Sequence, residues 1–308
     1  MFRKLWPKKD EQPQEVSVVP GLTLTQALPI NGLAWSPDSH TLAAACNDGS
    51  LLFWVGGQSL PSLRTSTPAN AVTWSPDGLR LAVAGQDGVV RIIEWATTAS
   101  LEMRGHEGKV NAVAWSGDGL LIASGGDDAS VRLWQPASGQ QFASLEEHWD
   151  RVSSVAWAGD SQTLASASGD SSVRLWRNNG EMLARLSVPA GSLDSVAWSP
   201  SSHQLVAAHE SGTLRVWDVA RKQVVGWLNG FAERVKSVVW SPNGRQIAAA
   251  SSYHKWVFVW DVGRQEVVAR LTGPTDGITS LAWSPDGQQL AAGAWNGSLC
   301  LWQAAAFK

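Results

Sequence analysis

A tryptophan followed by a short polar turn recurs along this chain at Trp35, Trp74, Trp115, Trp157, Trp198, Trp240 and Trp283. The intervals are 39, 41, 42, 41, 42 and 43 residues. A second series runs in step with the first: Trp54, Trp134, Trp176, Trp217 and Trp302 each follow their partner by 19 residues, and Trp260 follows by 20. In the second unit Ile93 holds the 19-residue position and Trp95 stands two residues on, which an extended strand would place on the same face. Thirteen of the 19 tryptophans belong to these two series. Seven copies of one small unit cannot each bury their apolar surface alone, so they must pack against one another into a single body.

Each unit reads as short strands separated by turns. The seventh runs Ile278–Ser284, then the turn Ser284–Gly287, then Gln289–Gly293, a turn at Asn296 and Gly297, and Ser298–Trp302. Runs of this length bounded by Gly, Pro, Asn and Asp are strands, and no interval between landmarks holds a ten-residue helix. The first turn appears as SPDS, SPDG, SGDG, AGDS, SPSS, SPNG and SPDG, residue types that preset or tolerate turn backbone. Asp-Gly at 48–49 and 87–88 adds a hairpin signal. Runs such as TLAAAC (41–46), RLAVAG (80–85) and QIAAA (246–250) do not alternate apolar with polar, so both faces of these strands are covered. Four-stranded sheets packed radially about an axis, small residues inside and Trp outside, satisfy both patterns.

The unit resembles the WD repeat, about 40–45 residues supplying four strands to a β-propeller blade. The resemblance covers residues 21–303 and rests on the spacing. The Trp-Asp pair survives at 217–218 and 260–261, and the Gly-His pair at 105–106. It implies an all-β fold, a seven-bladed β-propeller of four-stranded antiparallel sheets. It also implies hydrogen-bonded His–Ser–Asp–Trp groups, matched in full at His106, Ser124, Asp128 and Trp134 and again at His148, Ser166, Asp170 and Trp176. Elsewhere the Asp position carries Asp48, Asp87, Ser211, His254 or Asn296, so blades three and four should be the stiffest. An apolar residue of each outer strand stands 11 or 12 before the next Trp, and Leu24 stands 11 before Trp35. Only QAAAFK follows Trp302, too little for a turn and a strand, so the N-terminal strand is expected to complete the last blade and close the ring. The expected division is a flexible N-terminal tail over residues 1–20 and the propeller over 21–308.

Chemistry is sparse. The sequence has no G-x-S-x-G, P-loop, G-x-G-x-x-G or H-E-x-x-H, and no cofactor or metal is expected. Cys46 and Cys300 fit neither a disulfide framework nor a zinc site and read as core residues. A net charge of −3 argues against nucleic acid as a partner. The cations Lys109, Arg151 and Arg234 share one rim position, but Glu107, Asp150, Glu233 and Asp276 are interspersed with them. No 18-residue apolar run exists and the start MFRKLWPKK lacks a signal-peptide apolar region, so a cytoplasmic protein without integral membrane association is expected.

In WD propellers the residue before the turn Asp faces the partner surface. The resemblance places Asn47, Gln86, Asp127, Gly169, Glu210, Tyr253 and Trp295 there. Blades six and seven thus present Tyr253 and Trp295, with Trp256 and a one-residue insertion close by and Trp149 two blades away. Aromatic and Arg residues are the material of interface hot spots. The reading is a non-enzymatic platform for other proteins or peptides, a monomeric propeller within a larger complex. Two alternatives are a ligand or catalytic site in the central channel, whose inner strands carry only Asp194 and Lys236 as charges, and a membrane-linked scaffold using the basic-aromatic tail of Phe2, Leu5 and Trp6 among Arg3, Lys4, Lys8 and Lys9.

Overall fold

The computed structural model describes residues 16–307. Six blades are four-stranded antiparallel meanders built from consecutive strands, blade three for example from Val110–Trp115, Ile122–Gly126, Val131–Gln135 and Gln140–Leu145. The inner strands contact one another in chain order, and Ile278–Trp283 of the seventh meets Ile30–Trp35 of the first, so the ring is closed. Blade seven takes Ile278–Trp283, Gln289–Ala294 and Ser298–Gln303 from the C-terminal end of the chain and its outer strand, Leu22–Thr25, from the N-terminal end. Leu22 pairs with Leu301 and Thr25 with Ser298, as the spacing of Leu24 requires.

The tail reading falls largely on residues 1–15, outside the described residues. Its end does not: Val16–Val18 lies parallel to Ala269, Arg270 and Leu271 and adds a fifth strand to the outer edge of blade six. The chain therefore contacts the propeller before residue 21.

The burial pattern explains the composition. Second strands such as Thr41–Cys46, Gln246–Ser251 and Gln289–Ala294 are buried at five successive positions, because each lies between two neighbouring sheets. Alanine dominates there because the sheets approach closely. Toward the periphery the sheets diverge, and the second-series Trp54, Trp134, Trp176, Trp217, Trp260 and Trp302 fill the gap, all almost fully buried. Burying a large aromatic ring stabilises a fold by roughly 1.5–3 kcal/mol or more. Cys46 ends the second strand of blade one and Cys300 lies on the third strand of blade seven, and burial pushes their thiols up to about 12 and about 11, out of the reactive range.

Three aromatic side chains fill gaps outside the two tryptophan series. Trp95 stands one residue beyond the strand Val89–Glu94, not within it, yet it turns back to the same cluster as Ile93 and packs edge-on against Phe53 and Trp74. Phe231 occupies the position of the loop His in blade six and is core, against Phe258 and Trp260. Phe307, in the six residues too short for a strand, follows a 3₁₀ turn and buries its ring against Trp283, sealing blades six and seven.

A side-chain-to-backbone bond spans every seam between inner strands. From blade one to four the donors are amides: Asn31 to the Ala69 carbonyl, Asn70 to Val110 and Asn111 to Val152, at 2.9–3.1 Å. These blades carry Gly32, Ala71 and Ala112 at the next position and have no hydroxyl there. The remaining four seams use serine at that next position: Ser154, Ser195, Ser237 and Ser280 accept from the backbone N–H of Val196, Val238, Leu281 and Leu33, at 3.1–3.3 Å. The closing seam, between blades seven and one, adds Thr279 to the Ile30 carbonyl. At the opposite end of the blades, the serines that replace glycine in the first turn do similar work. Ser39, Ser161 and Ser202 adopt positive φ of 63°, 56° and 59°, and their hydroxyls accept from Asp286, Asp118 and Gly159 of the preceding blade. A non-Gly residue in that region costs about 1 kcal/mol, which a bridging hydrogen bond of about 1 kcal/mol offsets.

Candidate functional site

Both expected His–Ser–Asp–Trp groups form. In blade four the Trp176 Nε1–H donates to Ser166 Oγ at 2.9 Å, Ser166 Oγ lies 2.8 Å from His148 Nε2, and His148 Nδ1 lies 2.7 Å from Asp170. Blade three repeats this with Trp134, Ser124, His106 and Asp128 at 2.8, 2.8 and 2.9 Å. An ionised carboxylate only accepts, so Nδ1 carries the proton and Nε2 accepts from the serine. The donors run in one direction, Trp to Ser to His to Asp, and each buried polar group is matched. These groups tie the loop before the inner strand to the second and third strands, which is a structural task.

Burial opposes ionisation of Asp170, yet hydrogen bonds from His148 and Ser172 outweigh it and hold its carboxyl down to about 2. Asp128 is likewise held well below the usual carboxylate range: burial opposes ionisation there too, and the contact with His106 prevails. Burial lowers the His148 pKa, against the opposing pull of Asp170. A depressed histidine pKa means the unfolded chain takes up a proton the folded chain resists, so stability falls as pH drops below 6.5. A depressed Asp pKa adds stability that is present above 3.8 and lost as pH falls toward 2. Urea midpoints should therefore decline in two stages, one below pH 6.5 and one below pH 4, and the second decline should be shallower in Asp170→Asn. An equally steep acid limb in that variant would show that the carboxylate is not the titrating group.

The other five blades lack the group, and two fill its place differently. In blade six His254 stacks on Trp256 at 4.4 Å, and the Arg270 guanidinium lies 4.1 Å from the same indole. In blade five the loop His is absent, and His209 enters the vacant space from the second strand. The equivalent residue of blade three is Gly126, where a Cβ would come within 2.6 Å of His106 Nδ1, so the two positions share one cavity. His209 is buried, which lowers its pKa, and its Nδ1 lies 2.8 Å from Ser211 Oγ. Spacing alone does not reveal it, because His106 and His148 stand nine residues before Trp115 and Trp157 whereas His209 follows Trp198. The small Gly126 and Ser168 at the aligned position are the signal that could have revealed it.

One end of the ring opens as a funnel of about 600 Å³ whose lining includes Lys109, Arg151, Arg234, Lys236, Asp127, Asp194 and Trp295. Asp194 is buried and takes both ends of the Arg234 guanidinium, with Lys236 at 3.7 Å. Asp127 accepts from Asn111 at 2.8 Å. Lys109 and Arg151 have no ion-pair partner among the described residues, so the mouth carries uncompensated positive charge. The channel charges seen in the sequence are thus paired with each other. Among the described residues no three His, Cys, Asp or Glu are placed to hold a metal.

The aromatic candidates separate by environment. Tyr253 is 65% exposed and Trp295 45% exposed, in equivalent turns of adjacent blades. Tyr253 borders a second depression with Glu210 and Glu233, and Arg234 lines both that depression and the funnel. Trp149 is 62% exposed, with Arg185 4.5 Å and Arg174 5.9 Å from its ring. Trp256 is half-buried in the stack just described.

No helix among the described residues is long and apolar enough to cross a membrane. No curated protein matches the chain. The family described as WD domain, G-beta repeat, matches seven successive segments, 20–55, 57–94, 97–135, 139–177, 180–218, 222–261 and 265–303. The first begins with the strand that completes blade seven, and the last ends with the strand it pairs to. With seven repeats spanning almost the whole sequence and seven blades in the ring, the chain belongs to the WD-repeat family of β-propellers.

Proposed function

We propose that this propeller is a non-enzymatic, cytoplasmic platform that binds protein or peptide partners at the funnel end of the ring, with Tyr253 and Trp295 as anchors. The carrying observation is the exposure of these two rings where most aromatic side chains of the chain are buried. Large aromatic side chains freeze few rotamers on binding and dominate interface energetics. Arg234, between the two depressions, and the unpaired Lys109 and Arg151 supply polar contacts around them. Trp149 extends the same rim, and Trp256 supports the turn that carries Tyr253. The paired Asp194 and Lys236 support a binding rather than a catalytic reading of the channel, and the mixed rim charge favours protein over nucleic acid.

The double variant Tyr253→Ala, Trp295→Ala should keep its melting midpoint within a few degrees of the parent. Hot spots of this kind cost at least about 2 kcal/mol on truncation, some thirtyfold in affinity. Affinity capture with mass spectrometry should accordingly lose specific partners from the double variant. A lowered midpoint with an unchanged partner list would show that both rings are packing residues.

A further inference from the structure

Four blades place an arginine on the third strand, two residues before the second-series position: Arg91, Arg132, Arg174 and Arg215. In blades two to four this cation faces the turn Asp of its own blade. Arg91 meets Asp87 at 2.5 Å, and Arg132 and Arg174 lie 3.7 Å from Asp128 and Asp170. Further carboxylates assist, Glu102 of the outer strand beside Arg91 and Glu147 of the preceding loop beside Arg174. In blade five all three acidic positions are neutral, since Ser211 replaces the Asp, Trp227 the Glu102 equivalent and Val188 the Glu147 equivalent.

Arg215 is nonetheless only 7% exposed. It makes no ion pair or hydrogen bond with any described residue, its Nε is buried without an acceptor, and the Trp227 ring lies 4.2 Å away. Buried charges are ordinarily paired, because removal from water costs several kcal/mol. A second group is vacant beside it. In blades two to four the N–H two residues after the turn Asp donates to that carboxylate, at 3.0–3.2 Å. The equivalent Thr213 N–H has no such acceptor, and the Ser211 hydroxyl lies 3.1 Å from that of Thr213.

We propose that blade five holds an oxyanion site, formed by the Arg215 guanidinium and the Thr213 N–H, whose occupant is a phosphoryl group on Ser211. The counter-charge in blades two to four is borne by the aligned residue, so the tether already has the right origin. Ser211 is exposed to a modifying enzyme, whereas Arg215 lies under Trp227. Glu210 and Glu233 border the same depression as Ser211 and repel a free anion or an acidic partner side chain, which covalent attachment overcomes. The modification is transfer of the γ-phosphoryl group of a nucleoside triphosphate by a protein kinase. The Ser211 Oγ–P bond forms, the bond from γ-phosphorus to the β–γ bridging oxygen breaks, and the hydroxyl proton leaves to the kinase base. The product carries roughly −1.5 to −2 charges at neutral pH and three acceptor oxygens. Those acceptors match the unpaired guanidinium and the free N–H.

Full-length protein with phosphoserine installed at position 211 tests the site. Its melting midpoint should exceed that of the unmodified chain by about 2 °C or more. The gain should vanish in Arg215→Gln and survive in part in Arg215→Lys. Ser211→Asp should reproduce part of it and the isosteric Ser211→Asn none, which keeps the test readable if phosphoserine incorporation is poor. No gain from phosphoserine or Asp, or a gain that persists in Arg215→Gln, overturns the proposal. So does an Arg215-dependent gain produced in the unmodified chain by inorganic phosphate but not by chloride at matched ionic strength, since a free anion would then be the occupant. Protein recovered from its native cells should carry phosphate on the peptide containing Ser211, and its absence across growth conditions also overturns the assignment.

Discussion

Trp176→Ala should be among the most damaging single substitutions in this propeller. Truncating a fully buried Trp costs roughly 3–5 kcal/mol. Loss of its hydrogen bond to the buried Ser166 Oγ adds about 1 kcal/mol, and weakens the chain of donors that orders His148 and Asp170. The comparison that isolates the second contribution is Trp217→Ala. Trp217 is equally buried, but Ala207 stands where Ser166 stands in blade four, so only the packing contribution is lost. Trp176→Ala should therefore cost more than Trp217→Ala by about 1 kcal/mol, and Trp176→Phe should retain most of the packing while losing the bond. Denaturant midpoints at constant m-value decide it. Equal losses for Trp176→Ala and Trp217→Ala would mean that the four-residue group contributes nothing beyond the ring it contains.

That pair of tryptophans also shows what kind of information a repeat sequence carries. Trp176 and Trp217 fall at the same offset in their units, and the offset alone places both at the sheet periphery. What each indole N–H meets depends on one residue ten positions earlier, Ser166 or Ala207, and this too is readable once the units are aligned. His209 is not readable in the same way. It fills the cavity of the loop histidine from a different strand, so a search by offset passes over it, although the ring ends in the same space. The inner strands were legible for charge, Asp194 and Lys236, but the seams are held by neutral groups. The change from Asn31, Asn70 and Asn111 to Ser154, Ser195, Ser237 and Ser280 becomes meaningful only when neighbouring strands are seen in contact. Trp95 and Phe307 stray for a related reason. Both lie just past the end of a strand, where strand periodicity no longer dictates direction and the nearest unfilled apolar gap does. For the candidate rim, the sequence offered positions and residue types, while exposure had to come from the fold. Tyr253 and Trp256 are three residues apart and alike in chemistry, yet one ring is solvated and the other is held between His254 and Arg270.

Removing the strand Leu22–Thr25 should open the ring at blade seven. Two N-terminal truncations, one starting at Pro20 and one at Pro29, differ only in the segment that contains this strand, so the difference between them cancels whatever lies upstream. The segment is anchored along its length. Gly21 N–H donates to the Leu301 carbonyl at 2.9 Å, four residue pairs follow, and Gln26 N–H donates to Gly297 at 3.0 Å. A Cβ on Gly297 would lie 2.2 Å from the Gln26 carbonyl oxygen and 2.5 Å from that of Leu28, so the incoming chain rests directly on the last turn. Its loss removes Leu24 and Leu28 and uncovers the Leu299 and Leu301 edge they cover. Area lost from burial puts the cost at roughly 3–5 kcal/mol after the regained chain entropy is set against it. The seam bonds from Ser280 and Thr279 remain, so blades seven and one stay in contact, but blade seven then presents an unpaired edge that templates association between chains. The chain starting at Pro29 should melt on the order of 10 °C lower and lose its monodisperse elution in size-exclusion chromatography, while the chain starting at Pro20 should change far less. Adding a synthetic peptide covering residues 20–28 should restore part of the midpoint by refilling the edge. Equal midpoints for the two truncations would show that the ring is held by its inner seams alone and that the exchanged strand is a cover rather than a lock.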